Sequence, residues 1–220
     1  MTLNPWNLGR WRAPVWFSVV FSLTLVGVQW LCLTKGVPFV ALSRDPSAHL
    51  NTPPYIGLLS NLGGMGWGAA AGLAAFGWRS LRRLPSHQQH AKALAWMFFI
   101  TLILGLDDIA LLHDDWIHRV AIRGGEKMLF LLYGLSVMAW LYRFRSLLLE
   151  VRVPLLMSLG CFALSIAADL RFQFMGDTFH HLFEDGFKLL GIGNWIILAA
   201  QLSWGPETGG DPETLPIQAK

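Results

Sequence analysis

The chain has 220 residues, of which 54% are hydrophobic and only 14% charged, and its mean hydropathy is positive. A soluble domain normally carries about 25% charged residues, so the deficit points to lipid as the solvent and to a multi-pass membrane protein. The net charge of +3 resides in short Lys and Arg clusters between apolar runs, a topology signal that argues against nucleic acid as a partner.

Six apolar stretches read as membrane spans in one all-α domain over residues 1–204: about Ala13–Thr34, Tyr55–Trp78, Ala93–Leu112, Gly125–Tyr142, Val153–Leu170 and Leu182–Trp204. The first is too long for a cleavable signal and is expected to be retained. Arg10 and Arg12 precede it, Arg79, Arg82, Arg83 and Lys92 follow the second, and Arg143, Arg145 and Arg152 follow the fourth. With six spans all three clusters share one side, which the positive-inside rule makes cytoplasmic. Both termini are then inside, and the expected location is a bacterial inner membrane. The loop 35–54, with Pro38, Pro46, Pro53 and Pro54, is long enough to fold over the outer mouth.

The second span carries Gly64, Gly68 and Gly72 at every fourth position, a spacing that lets helix backbones approach closely. Trp16, Trp30, Trp78, Trp116, Trp140 and Trp204 fall near span ends, as an interfacial belt would place them. Cys32 and Cys161 lie inside apolar spans, so no disulfide framework is expected. The stretch 205–220 has no apolar period and is expected to be a disordered cytoplasmic tail.

The chemical centre is Asp107–His118, directly after the apolar run 93–106. At about 100° per residue, Asp107, Asp114 and His118 fall on one line, with Asp108 and Asp115 beside it and His113 pointing away. Ionisable groups at this depth are costly and commonly functional. Counting about 14–17 residues, roughly 21–25 Å, up each span from its cytoplasmic end reaches Gln29, Ser60 with Asn61, Asp107 with Asp108, Glu126 with Lys127, Asp169, and Lys188. Glu184 stands one turn further out. Every span therefore contributes a polar group at a similar height. Lys188 is expected to pair with Glu184, Asp107, Asp108 or Asp169, because a lone ammonium there would be expensive.

Carboxylates and imidazoles are ordinary ligands of zinc and other divalent ions, which makes Asp107, Asp108, His118 and Glu184 candidate metal ligands. Asp169 is the candidate acid/base, Asp108 a further catalytic carboxylate, and Lys188 the stabiliser of developing negative charge. His113, Asp114, Asp185, His180 and His181 are outer candidates, the two adjacent histidines being equally suited to a solvated helix start. Ser165, one turn before Asp169, is a possible nucleophile, although Ser in a membrane helix more often bonds backbone.

The segments Leu59–Gly63, Leu106-Asp107-Asp108 with His113-Asp114, Glu126-Lys127, Leu164-Ser165 with Asp169, and Phe183–Gly186 with Lys188 and Gly191 resemble those of uncharacterised bacterial multi-pass membrane proteins. Ser60 with Asn61, followed by a His/Asp group on the next helix, is more distantly similar to the alkaline-ceramidase-like membrane hydrolases. Those proteins combine a Ser, an Asp and three zinc-binding histidines in a seven-helix bundle. The present chain has six spans, and His180, His181 and Glu184 stand where that superfamily has His-x-x-x-His. The resemblance implies a metal-dependent hydrolase acting on a lipid-like substrate. A proton- or cation-coupled transporter, an ion-binding protein, or a non-enzymatic subunit with a structural ion-pair cluster remain the alternatives.

Overall fold

The computed structural model describes residues 5–36, 38, 50–53, 55–110, 125–171 and 177–204. These residues form seven α-helices and one 3-10 turn: α1 Pro5–Lys35, α2 Leu58–Leu81, the turn Pro85–His87, α3 Gln88–Ala110, α4 Gly125–Arg143, α5 Arg145–Leu148, α6 Arg152–Arg171 and α7 Asp177–Trp204. No strand occurs among the described residues. The all-α expectation is met, and each of the six apolar stretches coincides with or overlaps a helix.

Among the described residues, two helical segments are long and apolar enough to cross a membrane, Ser18–Lys35 and Pro85–Ala110, while Met128–Arg143 and Arg152–Ala168 are shorter apolar helices. A segment such as Ser18–Lys35 is also what a signal sequence provides. Composition explains the difference from six equal spans. α2 is diluted by Gly, Ser and Asn, and the first half of α7 carries His180, His181, Glu184, Asp185 and Lys188.

The chain divides into two compact units, Met1–Gly57 and Leu58–Lys220. In the first, α1 is closed by Gly36 at φ +66°, the left-handed conformation that commonly ends a helix and that glycine adopts without penalty. The loop residues 39–49 and the tail 205–220 lie outside the described residues.

In the second unit, α2 packs on α3 and α7, and α7 packs on α6, while α4 leans more lightly on α3. The α2–α3 connection is short, and Pro85 sits in the first turn of its 3-10 helix, a position where its missing N–H costs nothing. There the Gln88 side-chain amide donates to the Arg82 carbonyl at 2.9 Å. The core is a continuous apolar cluster that includes Ala70, Ala74, Leu94, Met97, Leu198 and Leu202.

Small residues set the closeness of approach, though not along the expected row. A Cβ added at Gly68 or Gly72 would meet nothing within 4 Å, whereas one at Gly66 would lie 2.5 Å from Ile192 and one at Gly77 would lie 2.9 Å from Leu94. Of the expected row only Gly64 has a neighbour, Ile109, at 3.2 Å. The tryptophans also divide. Trp16, Trp30 and Trp204 are exposed, but Trp140 is fully buried and donates to the Ala93 carbonyl at 2.9 Å. A buried indole N–H needs such a partner, so Trp140 belongs to the core and not to an interfacial belt. Large apolar side chains cover the outside of α3, α4 and α6, among them Phe99, Ile103, Leu131, Met138, Leu156 and Ile166.

Candidate functional site

Asp107 and Asp108 stand on the last turn of α3, at the end of the helix opposite the Arg-bearing turns. Consecutive helical positions diverge by about 100°, and these two carboxylates accordingly meet different helices. Asp107 is 5% exposed and lies beside the Tyr133 hydroxyl of α4. Asp108 faces α2 and α7, where Lys188 Nζ pairs with its Oδ1 and the Trp67 indole donates to its Oδ2 at 3.2 Å. Three helices thus converge on one carboxylate.

Backbone approach and aromatic packing fix Trp67 in this role. At Gly105, one turn below the acidic pair, an added Cβ would lie 2.8 Å from Trp67 Cβ, so glycine there lets α2 and α3 touch. The other side of the indole stacks on Phe162, with ring centroids 5.6 Å apart and planes 15° apart. Phe162 in turn lies edge-on to Trp195 at 6.4 Å, and Trp195 packs on Trp140 at 5.5 Å. Trp195 Nε1 donates to Thr101 Oγ1 at 2.8 Å. Below the ion pair the centre of the bundle is therefore filled by aromatic rings.

The described serines of α6 bridge helices. Ser165 Oγ donates to the Glu184 carbonyl at 2.9 Å and Ser158 Oγ to the Gly191 carbonyl at 2.8 Å. Such bonds tie α6 to α7. They engage the Ser165 hydroxyl with the backbone of the neighbouring helix. Glu184 and Asp185 are partly exposed on the turn of α7 that precedes Lys188, and Ser60 and Asn61 are exposed on α2. Neither Ser60 nor Asn61 joins Asp108.

Other candidates are placed less completely. Glu126 lies on α4, Asp169 on α6 and His180 and His181 on α7, with their side chains outside the described residues. His113, Asp114 and His118 fall in 111–124, which is also outside them. Among the described residues no group of three or more His, Cys, Asp or Glu side chains could hold a metal ion. Of the candidate ligands, Asp107 and Asp108 point to different helices, and both oxygens of Asp108 already have donors.

Sequence reasoning did not find Trp67, Tyr133, Phe162 or Gly105. Gly105 alone carried a signal, a helix-breaking residue inside an otherwise apolar run. Beside the polar site, α3 and α4 leave a cavity of about 520 Å³ lined mainly by apolar residues, including Phe99, Ile103, Leu132 and Leu135, with Tyr133 among them.

The family described as a domain of unknown function (DUF8692) matches residues 15–202, and the chain belongs to that family. No curated protein and no solved structure matches the chain.

Proposed function

We propose that the chain is a six-span inner-membrane protein that binds a cation at its outward-facing end, with Asp108 as the binding carboxylate and Lys188 as a built-in competitor. The supporting observation is the Asp108 carboxylate held between Lys188 and Trp67 at the junction of three helices. An ion pair in an apolar bundle contributes little net stability, because desolvation offsets the attraction. Its physical effect is to create two alternatives. Either the tethered ammonium occupies Asp108, or an incoming cation or proton does and Lys188 is released. Glu184 lies one helical turn before Lys188, within the reach of i,i+4 neighbours, so the released ammonium has a second acceptor on its own helix.

Six crossings are favoured by the apolar side chains on the outer surfaces of α3, α4 and α6, since soluble monomers rarely expose apolar surface so extensively. The Arg-bearing helix ends supply the orientation through the positive-inside rule. The aromatic filling below Trp67 favours a site that opens outward only in this conformation. Transport would require the rings of Phe162 and Trp195 to move. A hydrolase on a lipid-like substrate draws less support, because Ser165 is engaged with backbone and Ser60 makes no hydrogen bond to Asp108.

The test is calorimetric titration of the protein in nanodiscs with sodium, potassium, magnesium, calcium and zinc, accompanied by proton release measurements. A saturable heat for at least one ion, absent in Asp108→Asn, is expected. Identical titrations of wild type and Asp108→Asn would reject the assignment.

A further inference from the structure

At the other end of the bundle, α4 stops at Arg143 and the chain turns through Phe144 into α5. Phe144 is 4% exposed and meets Trp96 edge-on at 6.0 Å, so this turn is anchored from inside. Its neighbours are consequently directed outward. Tyr142, Arg143, Arg145 and Ser146 are all exposed and together line a cavity of about 300 Å³.

Both guanidinium groups are held by aromatic faces. Arg145 Cζ lies 5.0 Å from the Tyr142 ring centroid, and Arg143 Cζ lies 5.4 Å from that of Phe144. Neither pairs with a carboxylate among the described residues. A cation–π contact uses the plane of the guanidinium and leaves its N–H edges for another partner. The lining offers hydroxyl groups as well and contains no acidic side chain.

We propose that this pocket binds a phosphate group, that of an anionic phospholipid headgroup. Arginine forks match phosphate oxygens in bidentate geometry, and the cavity is at the small end of ligand sites, suited to a headgroup and not to an acyl chain. Its place at the basic end of an apolar helix is where cytoplasmic-leaflet headgroups would lie, and basic pockets there bind anionic lipids. Topology alone requires only positive charge in this loop. The cavity and the two aromatic-held forks go beyond that requirement, and they are independent of the cation site.

The experiment is native mass spectrometry of the delipidated full chain in neutral detergent, titrated with phosphatidylglycerol, phosphatidylcholine or inorganic phosphate. The comparison is Arg143→Lys/Arg145→Lys, which keeps both topogenic charges and removes both forks. Wild type is expected to retain one phosphatidylglycerol in preference to phosphatidylcholine, with affinity falling roughly tenfold or more in the double Lys variant as bidentate contacts are lost. Each single Lys variant should fall between. Weak binding of inorganic phosphate supports the lipid as ligand. Phosphate binding as tight as that of the lipid would overturn the lipid assignment in favour of free phosphate. Equal retention of both lipids would overturn the assignment to an anionic headgroup, since phosphatidylcholine carries the same phosphodiester, and equal affinity in wild type and the Lys variants would overturn the site altogether.

Discussion

Asp107 and Asp108 are adjacent on α3 and do different work, the first turned to Tyr133 of α4 and the second to Lys188 and Trp67. That Lys188 would meet a carboxylate was legible in sequence, because Lys188 stands at about the same height as several acidic residues on neighbouring helices. Which of four carboxylates would receive Lys188 was not, since that depends on how each helix is rotated about its axis. Trp67 was illegible for a related reason. Nothing in local sequence marks one indole among 11 as a hydrogen-bond donor to a carboxylate 41 residues away. Removing one partner of a buried pair leaves an uncompensated charge. In buffer without added cations, Lys188→Met is therefore expected to lower stability by about 1–3 kcal/mol, less than for a fully buried pair because Lys188 is partly exposed. Asp108→Leu/Lys188→Met should recover most of that loss. Thermal unfolding in one detergent checks both, and additive losses in the double variant would count against a direct interaction.

At the scale of elements, the closeness of α2 to α3 and α7 was foreseeable from the Gly and Ala content of α2, but the row of contact was not. Every fourth residue picks out Gly64, Gly68 and Gly72, whereas the tight contacts fall at Gly66 and Gly77, with Gly105 answering from α3. Periodicity identifies candidate faces and is blind to which face meets a neighbour. The two kinds of glycine should respond oppositely to alanine. Gly68→Ala, with open space at its Cβ, is expected to stabilise by up to about 1 kcal/mol through helix propensity. Gly105→Ala should cost about 1–3 kcal/mol, because its Cβ meets Trp67 and the helices must separate. Denaturation midpoints of the two variants should shift in opposite directions, and a shared direction would contradict this packing. Trp140 teaches the same lesson, since its position near a span end gave no hint of the Ala93 carbonyl it meets inside the bundle.

For the whole molecule, composition revealed the all-α class, while the number of crossings depends on α2 and α7, whose Gly-rich and charged segments dilute their hydropathy. Thiol labelling resolves this. Cys32 and Cys161 are buried and should give little background. Ser86→Cys, in the α2–α3 turn, is expected to react with an impermeant maleimide only after the cells are opened, and Asn51→Cys to react in intact spheroplasts. Labelling of both from outside would refute the proposed orientation. The most direct test of the proposed cation site is the ion affinity of Lys188→Met relative to wild type, measured with whichever ion wild type binds. If Lys188 competes for Asp108, its removal must tighten binding, and an increase of at least about tenfold, worth about 1.4 kcal/mol, is predicted. Unchanged or weaker binding would contradict the exchange between ammonium and ion and leave Asp108–Lys188 as a structural clamp.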